Sequence, residues 1–198
     1  MIRTPVPRRR LRGTPVVVLL LAATAVAVMI ALFSPSSLSS PTRVPRGALG
    51  AADGVVPDGV TVFDDVPAVT NLDPGLLAAM RSAARDAAGD GVEFVVNSGW
   101  RSRAYQDRLL HDAIAQYGSE GEAARWVATA DTSPHVSGQA VDVGPTAAAT
   151  WISRHGAGYG LCRVYRNEPW HVELRPEAVD AGCPRMYADP TQDPRTAR

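Results

Sequence analysis

Apolar positions along this chain change period several times, and each change marks an element. Leu76, Leu77, Met80, Ala83, Ala84 and Ala87 recur at helical spacing behind Asp73, a good N-cap, and Pro74, which suits the first helical position. Gly89 and Gly91 close that helix. Val92-Glu-Phe-Val-Val96 then reads as a strand that delivers residues 98–103 at its end. A second helix follows over about 102–116, with Tyr105, Leu109, Leu110 and Ile114 on one face. Ser119 and Glu122 make a capping box for a third helix bearing Ala123, Trp126 and Val127. Gln139-Ala-Val-Asp-Val143 alternates as a strand does, and a helix over about 146–155 ends at Gly156. Strand-like segments near 161–165 and 170–174 complete the order. Helices and strands mix without a βαβ rhythm, which predicts an α+β fold. Trp126 and Trp151 lie on helical faces and are expected in the core; Trp100 and Trp170 could equally be core aromatics or pocket walls.

Outside this region the pattern is different. Arg3, Arg8, Arg9, Arg10 and Arg12 precede Val16 to Phe33, an uncharged and nearly all apolar run. Eighteen residues at about 1.5 Å each span about 27 Å, close to the hydrocarbon thickness of a bilayer. The arginines predict a cytoplasmic N-terminus (1–15), a membrane anchor (16–33) and an external C-terminal part. A cleaved signal peptide is the alternative, although no A-x-A-like site is evident. Residues 34–57, rich in Ser, Pro, Gly and Ala, read as a flexible spacer, 58–188 as the folded domain, and 189–198 as a disordered, Pro- and charge-rich tail.

Composition narrows the chemistry. Net charge is zero over the 198 residues, which leaves no electrostatic footprint for nucleic acid. All 20 basic residues are arginine. Without lysine, Schiff-base chemistry, a P-loop and a Ser-x-x-Lys nucleophile are all excluded. Cys162 and Cys183 are the only cysteines, and outside the cytoplasm such a pair is most simply a disulfide, with two buried thiols as the alternative.

Two stretches remain that carry chemistry: Ser133-Pro-His135-Val-Ser-Gly138-Gln-Ala140-Val-Asp142 and Glu168-Pro-Trp-His171. Imidazole and carboxylate are ligands that Zn²⁺ accepts, and three of them leave a fourth position open. Gly138 permits a sharp turn after His135. On the strand that follows, Val141 and Val143 would face the core while Asp142 points the other way, toward a metal. Pro169 restricts Glu168 and stiffens its link to His171, holding a spare carboxylate near the metal without making it a ligand. The set reads as a catalytic zinc site; a structural zinc is the lesser reading, since such sites are usually closed and cysteine-rich. His111 and His155 read as surface or structural histidines. Arg101, in Asn97-Ser-Gly-Trp-Arg-Ser-Arg103, follows a predicted strand beside Gly99 and is a candidate site residue.

The combination SxHxxGxAxD and ExxH, with SGWRS upstream, resembles the VanY/VanX-like zinc D-alanyl-D-alanine peptidases over roughly residues 73–174. The resemblance implies a small antiparallel sheet flanked by helices, a fold shared with the hedgehog signalling domain. It implies one zinc ion held by His135, Asp142 and His171, with Glu168 as catalytic base and Arg101 on the substrate and oxyanion. Gln106 and Ser133 fall at positions close to the bound peptide. Trp100 replaces a commoner tyrosine, and Leu161, after Tyr-Gly, an aromatic; both bear on substrate fit. The implied activity is a D,D-carboxypeptidase on peptidoglycan stem peptides ending in D-Ala-D-Ala. An endopeptidase of the same chemistry and a zinc-stabilised wall-binding module stay open as alternatives.

Overall fold

The computed structural model describes residues 48–196. The basic N-terminus, the apolar run and the first part of the spacer lie outside the described residues. Among the described residues, no helix is long and apolar enough to cross a membrane.

In chain order the elements are α1 (Pro67–Thr70), α2 (Pro74–Gly89), β1 (Val95–Ser98), α3 (Arg103–Tyr117), α4 (Glu120–Ala123), β2 (Ala140–Gly144), α5 (Thr146–His155), β3 (Leu161–Arg163), β4 (His171–Leu174) and α6 (Ala178–Ala181). The four strands form one sheet in the order β1-β2-β4-β3, and every pair is antiparallel. This is the expected α+β architecture. Asp73 caps α2 through Oδ1, which accepts from the amides of Gly75 (2.9 Å) and Leu76 (3.1 Å). The helix buries Leu76, Met80, Ala83 and Ala87 in a core shared with Val141, Val143, Ile152, Leu161 and Val172. Each fully buried large apolar side chain there is worth roughly 1.5–3 kcal/mol.

The structure differs from the sequence pattern at several boundaries. β1 starts at Val95 rather than Val92, because its register is set by β2: Val95 lies opposite Gly144 and Val96 opposite Val143. An irregularity between Val96 and Ser98 then brings Ser98 opposite Asp142. The segment expected as a third helix keeps its cap, with Ser119 Oγ accepting from Glu122 N (3.2 Å), but ends at Ala123. Trp126 is therefore not core; it is 38% exposed and stacks on Tyr117 with ring centroids 5.8 Å apart. Trp151 is core, edge-on to Phe94.

Both flanks of the expected domain also move outward. Residues 51–53, placed in the spacer, form a 3-10 turn. Asp53 fixes that turn to the α3 cap: Ser102 donates to it through both its amide (2.8 Å) and its hydroxyl (2.9 Å). At the other end, residues from 189 do not form a disordered tail up to 196. Pro190–Gln192 make a 3-10 turn, and Asp189 and Asp193 are buried. Cys162 and Cys183 are joined in a disulfide with Cα atoms 5.5 Å apart.

Candidate metal centre and catalytic site

The sheet order brings the site together. β2 lies between β1 and β4, so Asp142 has Ser98 on one side and His171 on the other in a single row across three strands. His135 enters from the turn before β2. That turn needs Gly138, which sits at φ +73° with its α-carbon so close to α1's end that a Cβ would lie 2.5 Å from Asn71 O. The Gly138 carbonyl accepts from Asp73 N (2.8 Å), tying the turn to the start of α2. Glu168-Pro-Trp-His171 closes as a β-turn, with His171 N donating to Glu168 O (3.1 Å) and Pro169 at the position that favours φ near −65°.

His135, Asp142 and His171 are buried, and one ligand atom from each lies within 4.8 Å of the others. His135 Nε2 is 3.4 Å and His171 Nδ1 is 3.2 Å from Asp142 Oδ1. The remaining ring nitrogens are already committed. His135 Nδ1 is 2.9 Å from the Gly99 carbonyl, and His171 Nε2 is 3.2 Å from Glu173 Oε1. Neutral, as a metal ligand must be, each imidazole donates from that committed nitrogen and presents the lone pair of the other on the side of Asp142. Two imidazoles and a carboxylate so arranged fit a zinc ion.

Glu168 stands beside these three without joining them. Its Oε2 is 3.8 Å from His171 Nδ1, and its buried Oε1 has no hydrogen-bond partner among the described residues. Burial, opposed by the charge on His171, raises its pKa to about 7. Burial would likewise raise Asp142, but His135, His171 and Arg101 outweigh it and hold its carboxyl well below the usual range. For His171, burial is overcome by the hydrogen bonds to Asp142 and Glu173, and its pKa rises to about 9. Burial and the Arg101 charge lower that of His135.

Arg101 is locked by three neighbours. Nε donates to Ser98 Oγ (2.7 Å), Nη1 to Gln106 Oε1 (3.1 Å) and Nη2 to Asp142 Oδ2 (3.0 Å). Gln106, a polar residue at the most buried position of α3, passes its amide on to Ala128 O (2.8 Å). Ser133 Oγ is buried and has no partner among the described residues. A cavity of about 220 Å³ opens over the cluster, lined by all the predicted site residues together with Trp126, Tyr165, Trp170, Pro190 and Thr196. Sequence reasoning placed the seven polar site residues here and left His111 outside the site as a surface or structural histidine; it is exposed.

It missed Glu173, which is buried and holds His171. The two-residue spacing from His171 on an alternating strand puts both side chains on one face, and that was the available signal. It also missed Thr196 and Pro190 as cavity walls.

A sequence model of the family described as VanY, D-alanyl-D-alanine carboxypeptidase, matches residues 70–177, more than half of the chain. A D-alanyl-D-alanine carboxypeptidase of Enterococcus faecalis (strain ATCC 700802 / V583) is 30% identical over 110 residues. That match takes in 43% of this chain and 41% of the relative, so the chain spans about two-fifths of the relative's length. Among solved structures, the fold is similar to a vancomycin resistance D,D-pentapeptidase VanY mutant in complex with Zn(II), at 24% identity and TM-score 0.51, covering 56% of this chain and 75% of that one. VanYB in complex with D-alanine-D-alanine gives 24% and 0.52, over 56% and 74%. The LdcB LD-carboxypeptidase gives 22% and 0.52, over 69% and 73%.

Proposed function

Because the chain belongs to the VanY D-alanyl-D-alanine carboxypeptidase family, we propose that it is a zinc metallopeptidase releasing the terminal D-alanine from peptidoglycan stem peptides that end in D-Ala-D-Ala. His135, Asp142 and His171 would hold the zinc ion. Zinc bound there would supply Lewis-acid polarisation of a carbonyl and lower the pKa of water toward neutrality. Glu168 takes the proton of the attacking water and returns it to the leaving amine. Arg101, beside Asp142 and close to the cavity, supplies the positive charge for the oxyanion or the substrate carboxylate. The relative crystallised with D-alanine-D-alanine supports this choice of substrate.

One observation carries the reading: a buried carboxylate with a bare oxygen and a raised pKa, aimed into a cavity beside a metal-ligand triad. A binding module needs the triad but not the base. Incubating the zinc-loaded protein with pentapeptide and tetrapeptide stems, with products identified by mass, should show loss of one alanine from the pentapeptide alone. Glu168→Gln keeps the shape of the side chain, so it should fold and retain zinc while hydrolysis drops by roughly 10²–10⁴-fold. Hydrolysis by that variant at the parental rate would place the base elsewhere. No hydrolysis by the parent would favour the wall-binding module, and cleavage inside the stem the endopeptidase.

A further inference from the structure

The polar groups behind His171 form a closed circuit that runs through the chain's last described residues. Glu173 Oε1 faces His171 Nε2 at 3.2 Å, and the Glu173 carboxylate is almost wholly buried. Arg195 grips that carboxylate with both ends of its fork: Nη1 donates to Oε2 (2.7 Å) and Nη2 to Oε1 (3.3 Å). The same guanidinium turns back on the buried Asp193 carboxylate, Nε donating to Oδ1 (3.0 Å) and Nη2 to Oδ2. Tyr165 then closes the circuit. Its hydroxyl donates to Asp193 Oδ2 (3.0 Å) while its ring packs on the His171 imidazole, centroids 5.0 Å apart.

We infer that the segment 189–196 is a strap that completes the metal centre, with Arg195 as a positioning residue acting through Glu173 on the His171 ring. This inference rests on the metal-site reading above. Its physical basis is orientation. A ligating imidazole is held by what its other nitrogen bonds, and partners of that kind are typically worth 10–100-fold in metal affinity. Glu173 could not do this alone, because a buried carboxylate without a cation would be strongly disfavoured. Arg175 reaches only Oε2, at 2.9 Å, whereas Arg195 spans both oxygens and so fixes the plane of the carboxylate that faces the ring. The strap also brings Pro190 and Thr196 to the cavity wall, so its seating shapes the space open to substrate.

The test is zinc affinity, measured on the full chain by competition with a chromophoric chelator under conditions where circular dichroism shows each variant folded. Arg195→Ala should bind zinc about 10–100-fold more weakly than the parent. Arg195→Lys, a single point charge that cannot span two oxygens, should fall between. Arg154→Ala, on the exposed face of α5, should match the parent. Long-range ¹H–¹⁵N spectra of the zinc-loaded proteins should show a single His171 tautomer protonated at Nε2 in the parent and a loss of that signature in Arg195→Ala. A parent that binds zinc while Arg195→Ala binds it equally well overturns the strap and leaves the metal site standing. A parent that takes up no zinc overturns both. If Arg195→Ala does not fold, Arg195→Lys decides: affinity equal to the parent overturns the inference, and a several-fold loss supports it.

Discussion

A carboxylate serves as a base only when ionised, and Glu168 is held where that condition is met narrowly. Burial raises its pKa to about 7, with His171 pulling the other way. A cation at the triad can only favour the carboxylate further, so the acid limb of kcat/KM should have an apparent pKa no higher than about 7, with activity falling as pH drops below it. A pH–rate profile on a stem pentapeptide, run with zinc saturating, reads this directly; activity that rises steadily into acid contradicts it. His135, Asp142, Glu168 and His171 were legible in the sequence because their types and spacings are tied to local geometry: a Gly138 turn, one face of β2, a proline turn into β4. Glu173 was not. Whether a carboxylate on a strand points at solvent or at a buried histidine depends on which strands flank it, and β4 is flanked on both sides.

At the scale of elements, helices with chemical start signals were read closely. Asp73-Pro74 opens α2, whereas Ser102, expected as the first residue of the second helix, is its cap and accepts from Tyr105 N (3.1 Å). Strand limits were read less well, since β1 is bounded by its partner β2 and not by its own apolar run. The disulfide ties two elements the periodicity could not join, β3 and the segment after α6. It closes a chain separation of 21 residues that contains Glu168 and His171, which the chain-entropy model values at roughly 3 kcal/mol. Replacing both cysteines by serine should lower the unfolding free energy by about that amount, seen as a lower denaturant midpoint with a slope no shallower than the parent's, because the uncrosslinked unfolded chain exposes more surface. An unchanged midpoint would mean that the reduced chain is already as constrained.

On the scale of the whole molecule, the Cys162–Cys183 disulfide suits a protein working outside the cytoplasm, where the proposed stem-peptide substrate would lie. Composition misjudged the domain's edges: small and charged residues at 51–53 and 189–196 look like linker by frequency, yet Asp53, Asp193 and Arg195 are fastened by specific hydrogen bonds. Frequency cannot register a bond whose partner is distant in sequence. The N-terminal prediction rests on charge and on the length of an apolar run. Five arginines before an 18-residue uncharged apolar run, Val16 to Phe33, should keep the N-terminus cytoplasmic and send the domain across. Full-length protein should then fractionate with membranes and resist extraction by high salt or alkaline carbonate, which strip proteins held by charge alone. Protease added to intact cells with a permeable wall should cut the domain away, leaving the arginine-rich end protected. Recovery of a soluble mature chain starting after Phe33 would identify the run as a cleaved signal, with export and the disulfide preserved but the anchor lost. Recovery of the intact chain in the cytosol would remove the external substrate, and with it the physiological reading of the site.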